Sequence, residues 1–411
     1  MSIPIDKFSR ITALRPAPAS KVKLHPQKPA SREDLVRMIG AECLYTDLGQ
    51  HLVVRKSFRE PQRFETTLRT LRLLANEADV KALDPARWLF LDTETTGLSG
   101  GTGTYAFLVG IAWWDDERFI VEQHFMRDYA EEPSVLLEIA RKIAERPILA
   151  TFNGKSFDWP LLQTRFRMTR AAQIPVLQAH FDLLHPARRL WRGQLRSIAQ
   201  AELERQILGM ERTYDIPSET IPWRYFNFLR GGPPEAIVEV FDHNQMDLCG
   251  LASLAVRVIS ILNDPETIGH SGSEFFGVSR LLQKRGETVL AQRTFELALE
   301  AGLPPDAERS VQRELAILAK RQGDFSRSND YWEKLLGAST DGLAAYEQLA
   351  IFYEHSAREF ERASSLTHEA LVKLLEAYHS GRISMVKYQQ WYDRLHHRLG
   401  RLSKKNKLPI Q

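Results

Sequence analysis

Cysteine is nearly absent from this 411-residue chain. Cys43 and Cys249 stand far apart and outside any CxxC spacing. That excludes a disulfide-stapled scaffold and a cysteine-based structural zinc site, and it fits a reducing compartment. An excess of one charge is also missing. Lys and Arg total 55 against 52 Asp and Glu, a formal net charge of +3. A wholesale polycation is thereby excluded, and any nucleic-acid-binding surface must be a local patch. The start, "MSIPIDKFSR", has no apolar signal core, and the apolar run "YAFLVGIAWW" is too short to span a bilayer. Both absences predict a cytoplasmic protein without a membrane partner. No Walker-type G-x-x-x-x-G-K-[ST] loop occurs, so the chain does not read as an ATPase.

What is present is ordinary in bulk: 43% hydrophobic and 26% charged residues, enough chain for two or three domains. Basic residues cluster at both ends. Lys7, Arg10, Arg15, Lys21, Lys23 and Lys28 face only Asp6 near the start, and Arg394, Arg398, Arg401, Lys404, Lys405 and Lys407 crowd the end. Each cluster reads equally as a solubilising tail or as a phosphate-binding patch.

Residues 1–30, rich in Pro, Lys and Ala, are expected to be a flexible basic segment. Residues 31–85 are expected to be a helical extension. "SREDLVRMIGAE" has Ser31 as N-cap and acids in the first turn, and "RFETTLRTLRLLANE" is a second helix. The pattern then changes. "RWLFLD", "YAFLVGIAWW" and "RFIVEQHFM" read as strands, "EEPSVLLEIARKIAER" as an amphipathic helix, "PILATFN" as a buried strand, and "FDWPLLQTRFRM" as a helix after a tight turn. The order β-β-β-α-β-α predicts an α/β domain over residues 86–265, a mixed sheet flanked by helices. From 270 to 411 the chain reads as helix. A repeat of about 34–37 residues puts Ala291, Ser328 and Ala363 in equivalent places, and likewise Ala298, Leu335 and Ala370. That period is tetratricopeptide length, with a plain helical bundle as the alternative.

Three acidic groups punctuate the α/β segment. In "RWLFLDTETTGLSGG", Asp92 and Glu94 fall on one face of a strand and repel each other unless a divalent cation sits between them. Mg²⁺ or Mn²⁺ suits such oxygen ligands. In "TFNGKSFDWP", Asp158 opens a helix, where it serves either as N-cap or as ligand. In "FDHNQMDLCGLASLAV", His243 and Asp247 are one helical turn apart and share a face. The pattern Gly101-Thr-Gly103-Thr-Tyr-Ala106 matches a dinucleotide fingerprint but runs into a strand rather than a helix, which rejects that reading.

In order and context, Asp92-x-Glu94, Asn153-x-x-x-Phe157-Asp158 and His243-x-x-x-Asp247 resemble the three motifs of DEDD exonucleases in the ribonuclease H-like superfamily. "GGTGTYAFLVGIAW", "QHFMRDYAEEPSVL", "TFNGKSFDWPLLQTR" and "HNQMDL", followed by tetratricopeptide-like helices, are similar to the bacterial mitomycin repair factor type of exonuclease. The resemblance implies a metal-dependent 3′→5′ exonuclease on DNA, acting in repair with a DExH-class helicase. It assigns Asp92, Glu94, Asp158 and Asp247 as ligands of two Mg²⁺ or Mn²⁺ ions, with His243 as general base. It also implies that Thr95, Thr96 and Leu98 grip the terminal nucleotide. Asn153 and Lys155 are candidate phosphate or sugar contacts. Arg188, Arg189, Arg192 and Arg196 are candidates for the strand's path, since guanidinium suits phosphate. One departure stands out: His243 sits four residues before the final Asp, the spacing of the tyrosine-type subclass, where histidine-type members use five. Two other functions stay open: a 3′→5′ exoribonuclease, and a helical-repeat adaptor with a vestigial nuclease domain.

Overall fold

The structure, a computed structural model, describes residues 32–406 except 76–77, 98–101, 171, 213, 268–270 and 337–341. The expected flexible segment 1–30 and the proposed cap Ser31 lie outside the described residues. Helix α1 (Arg32–Ile39) is followed by strands β1 (Glu42–Thr46) and β2 (Gly49–Phe58) and by helix α2 (Leu68–Leu74). Then come β3 (Trp88–Thr95), β4 (Ala106–Asp115), β5 (Arg118–Phe125), α3 (Glu132–Glu145), β6 (Ile148–Thr151), α4 (Asp158–Thr169), β7 (Ala179–Asp182) and α5 (Leu184–Trp191). The α/β part closes with α6 (Gln200–Leu203), a π-helical turn (Glu204–Leu208), α7 (Ile221–Leu229) and α8 (Glu235–Asn263).

The strands form one seven-stranded mixed sheet in the order β1-β2-β5-β4-β3-β6-β7. Pairs from β1 to β3 are antiparallel, and β3-β6 and β6-β7 are parallel. Two features correct the sequence reading. Residues 31–85 are not a purely helical extension, because a β-hairpin adds two strands to the sheet edge. Leu52 and Val54 alternate inward along β2, and Gly49 turns the hairpin at φ 121°, a conformation that favours glycine. The helix expected over residues 63–77 shrinks to α2, whose N-cap is the Thr67 side chain accepting from Thr70 N.

Alternation along β3 sorts the core. Trp88 and Phe90 join a cluster on one face, and Leu89 and Leu91 join a second cluster on the other. Trp88 stacks on Phe181 of β7 with ring centroids 4.5 Å apart, so truncating it to Ala would cost about 3–5 kcal/mol. Helix α8 serves both clusters. Ile237, Val240 and Phe241 pack on one face, and Leu248 through Leu262 line the other. It is the one helix among the described residues long and apolar enough to cross a membrane, a candidate the sequence reading passed over. Fifteen of its residues are buried here, because it is the helix that covers the sheet.

An all-helical region follows: α9 (Gly272–Lys284), α10 (Thr288–Glu300), α11 (Pro305–Arg321), α12 (Phe325–Lys334), α13 (Gly342–His355), α14 (Phe360–His379) and α15 (Met385–Asn406). They pair in chain order as α9/α10, α11/α12 and α13/α14, with α15 on α14. The residue five before each of Ala291, Ser328 and Ala363 is left-handed: Gly286 at φ 80°, Gly323 at 81° and Arg358 at 58°. The 37- and 35-residue steps between these positions follow the sequence period, so each hairpin turns the same way. The region is no separable appendage. Val278, Leu281, Phe295, Val311 and Leu315 belong to the same hydrophobic cluster as Trp88 and Leu251, and Trp191 Nε1 donates to Glu274 Oε1 at 2.7 Å.

Nor is the C-terminal basic run a free tail. Arg398, Arg401 and Lys405 converge on the buried Glu354 at 2.6–3.0 Å, and Arg394 pairs with Glu347 at 2.8 Å. These charges fasten α15 to α13. Lys407 lies outside the described residues.

Candidate metal centre and active site

Asp92 and Glu94 share the β3 face that carries Trp88 and Phe90, as alternation requires. The β3–β4 register slips between Glu94 and Thr95, a bulge of the kind that re-aims side chains beside active sites. Asp92 pairs across the ladder with Gly110. A Cβ at Gly110 would fall 2.1 Å from Asn244 Oδ1, so glycine is what admits Asn244 of α8 to this spot. Asn244 Nδ2 donates to Asp92 Oδ2 at 2.8 Å, and its Oδ1 accepts from Gln123 Nε2 at 2.9 Å, which fixes the amide's orientation.

Asp158 reaches the same place from the first turn of α4. The preceding turn needs Asn153 at φ 64°, a region asparagine tolerates. Asp182, at the end of β7, holds that turn. Its carboxylate accepts from the backbone N of Asn153 at 2.8 Å, Lys155 at 3.1 Å and Leu184 at 3.1 Å. Thr93 Oγ1 then donates to Asp158 Oδ1 at 2.5 Å and ties α4 to β3.

His243 and Asp247 project from one side of α8. His243 Nε2 lies 3.3 Å from Asp247 Oδ2 and 3.8 Å from Glu94 Oε1. One ligand atom from each of Glu94, His243 and Asp247 fall within 4.8 Å of one another, a spacing that fits a cation. At the four-residue spacing the imidazole therefore reaches the carboxylates. Two residues absent from the sequence reading complete the arrangement. Asp215 Oδ1 meets His243 Nδ1 at 2.5 Å, and Arg212 Nη2 donates to Asp247 Oδ1 at 2.5 Å while also gripping Glu204. Glu204 lies in the π-helical turn, and its carboxylate occupies the space a side chain at Gly250 would need. Arg212 and Asp215 sit in "MERTYDIP", a stretch without periodicity, so no local pattern marked them.

The electrostatics are those of a crowded anion cluster. Burial, then Asp247, Glu94 and Asp158, raise the Asp92 carboxyl well above the ordinary range, against the Asn244 hydrogen bond. Burial pushes Glu94 up to about 8; His243 opposes this, and Asp247, Asp158 and Asp215 add to it. Asp158 is pushed up to about 6, again mainly by burial, with the Thr93 hydrogen bond opposing. Burial works against charge on His243, yet Asp247, Glu94 and Asp215 outweigh it and hold its pKa above the usual value. A set of hard oxygen donors that repel one another this strongly fits Mg²⁺ or Mn²⁺.

The remaining predicted residues divide. Thr95 Oγ1 donates to Gly97 O at 2.8 Å and Thr96 Oγ1 accepts from Tyr105 N at 3.0 Å, so both hydroxyls build the turn after β3. Leu98 lies outside the described residues. Asn153 and Lys155 stand on the Asp158 turn. Arg188 is exposed on α5, and Arg189 lies near Arg285 and Arg280, where burial and those two cations lower its pKa. The structure thus puts Arg189 on the side of the helical region. Tyr105 and Ala106 continue into β4, which upholds the rejection of a dinucleotide loop.

Comparison with known proteins gives three results. Residues 89–259 match the RNase_H superfamily, a span that contains every carboxylate of the cluster. The uncharacterized protein YprB of Bacillus subtilis (strain 168) is 30% identical over 302 residues, 72% of this chain and 72% of YprB. A solved family B DNA polymerase from Pyrobaculum calidifontis aligns at 12% identity and a TM-score of 0.34, over 62% of this chain and 36% of the polymerase. With that degree of identity over 72% of both chains, this chain belongs to the family of YprB, and its residues 89–259 carry an RNase_H-superfamily domain.

Proposed function

We propose that the protein is a cytoplasmic, divalent-metal-dependent 3′→5′ exonuclease acting on DNA. The observation that carries this reading is the crowding of Asp92, Glu94, Asp158 and Asp247, with ligand atoms of Glu94, His243 and Asp247 within 4.8 Å of one another, at an energetic cost that a cation relieves. Asp92, Glu94, Asp158 and Asp247 would hold two ions. Mg²⁺ or Mn²⁺ bound there supplies Lewis acidity at the phosphate and lowers the pKa of the attacking water. His243 accepts that water's proton at Nε2, while Asp215 on Nδ1 keeps the ring turned toward the site. Asn244 and Thr93 hold Asp92 and Asp158 in place. Resemblance to repair exonucleases supports DNA as substrate and a DExH-class helicase as partner. The matched left-handed turns support reading the C-terminal hairpins as tetratricopeptide-like. An exoribonuclease is the second reading, since none of the placed residues distinguishes a 2′-OH.

The test incubates the full chain with 5′-labelled DNA and RNA strands, with Mg²⁺, Mn²⁺ or EDTA. We expect a ladder shortening from the 3′ end, stopped by a 3′ block, and abolished by EDTA or by Asp92→Asn. Cleavage of closed circles, or equal activity in EDTA, would overturn the assignment. Faster digestion of RNA would select the second reading.

A further inference from the structure

Within the helical region, Arg313, Ile317, Lys320 and Arg321 of α11 line a cavity of about 530 Å³ with Trp332 of α12 and Ala344 of α13. Its rim is cationic: Arg313, Lys320 and Arg321 are all exposed. Its floor is apolar, made by Ile317, the Trp332 ring and Ala344. Gln348 Oε1 accepts from Lys320 Nζ at 2.7 Å, so the ammonium is held between α11 and α13. Trp332 is 3% exposed, and its indole N–H is buried without an acceptor. A donor left in that state is satisfied only if something brings it an oxygen.

A second cavity of about 190 Å³ adjoins the first through Arg313, with Phe276 and Arg280 of α9 and Ser310 and Glu314 of α11 in its wall. Glu314 accepts from Gln283 Nε2 at 2.8 Å. Arg313 lies between the two cavities, and at helix spacings of about 8–10 Å a segment reaching from one to the other would extend on the order of 20 Å, about six extended residues.

We propose that these two cavities bind an acidic polypeptide segment. One bulky apolar side chain rests on the Ile317–Trp332–Ala344 floor, flanked by carboxylates held by Arg313, Lys320 and Arg321. Charge complementarity selects an anion, and the apolar floor selects a peptide over a nucleic acid strand. Bases need open ring faces on which to stack. Here Trp332 is buried, and the Phe276 ring has the Arg280 guanidinium over it at 5.7 Å. The proposal goes beyond the nuclease reading and stands without it, since none of these residues belongs to the carboxylate cluster.

The test is selection of a combinatorial peptide display library on the full-length protein. Labelled synthetic copies of enriched peptides are then titrated against wild type, K320E/R321E and Ala344→Trp, which fills the floor. Circular dichroism and the thermal melt show that both variants are folded. We expect enriched peptides with two or more Asp or Glu flanking a bulky apolar residue, and an affinity loss of about tenfold or more on each variant. No enrichment, enrichment without acidic bias, or equal binding to the variants overturns the proposal. So does a labelled oligodeoxynucleotide that displaces the peptide and itself weakens about tenfold on K320E/R321E, because the cavities would then belong to the strand.

Discussion

Removing the charge of Glu94 should stabilise the metal-free protein while abolishing its response to metal. Burial and the surrounding acids raise Glu94 from 4.5 to about 8. A folded pKa above the unfolded one means that the folded state holds the extra proton. The stabilisation is complete below about pH 4.5 and is lost as pH rises through 8. At about 1.4 kcal/mol for each pH interval between the two values, the ionised carboxyl costs the fold several kcal/mol at this position. Glu94→Gln keeps the shape and removes the ionisation, but gives up the attraction to His243 at 3.8 Å. The expected net gain at pH 8 in EDTA is therefore smaller, about 2 kcal/mol, or about 2–3 °C in Tm for a chain of this length. In wild type, Mg²⁺ or Mn²⁺ at a hundredfold excess over Kd should add about 2.7 kcal/mol, and binding near pH 7 should release protons. The assays are scanning calorimetry at pH 5, 6.5 and 8, and isothermal titration in buffers of different ionisation enthalpy. Wild type in EDTA should melt lower as pH rises, and Glu94→Gln should show a flatter dependence. A Glu94→Gln protein that melts below wild type at pH 8 in EDTA, or a wild type indifferent to metal, would refute the account of a strained carboxylate cluster.

Gly110→Ala should lower activity at least tenfold and cost about 1–3 kcal/mol in a thermal melt, because its Cβ displaces Asn244 and frees Asp92. His243→Ala should reduce the single-turnover rate by about 10²–10⁴ without moving the cleavage polarity; a change within a few-fold would remove His243 from the proton transfer. Glu354 is held down at about 2, chiefly by hydrogen bonds from Arg401 and Lys405 that overcome burial. Its contribution, about 3 kcal/mol, is present above pH 4.5 and lost as pH falls through 2, so Glu354→Gln should lower the urea midpoint at pH 7 far more than at pH 2.5. Arg358→Gly should be neutral or stabilising by up to about 1 kcal/mol in the same urea titration, since Arg358 alone among the three equivalent turn residues is not glycine.

The strand pattern around "RWLFLD" was legible because β3 is buried on both faces and alternation alone puts Asp92 and Glu94 side by side. His243 and Asp247 were legible for the same local reason, one turn of a helix. The helical hairpins announced themselves through a period that small residues at 291, 328 and 363 must keep if neighbouring helices are to touch. Local rules stop there. The β1–β2 hairpin needs an existing sheet edge to pair with, because an isolated hairpin such as "ECLYTDLGQHLVVRKSF" is only marginally stable alone. Arg394, Arg398, Arg401 and Lys405 read as a basic tail because the acids they meet are 44 or more positions away in sequence. Asn244, Arg212 and Asp215 reach the cluster through partners 28 to 152 positions distant. Periodicity encodes which face a residue takes within its own element. Which charges end up within 3 Å of each other across elements is decided when the sheet and α8 close together, and that is where the carboxylate cluster acquires its shifted protons and its fit for a cation.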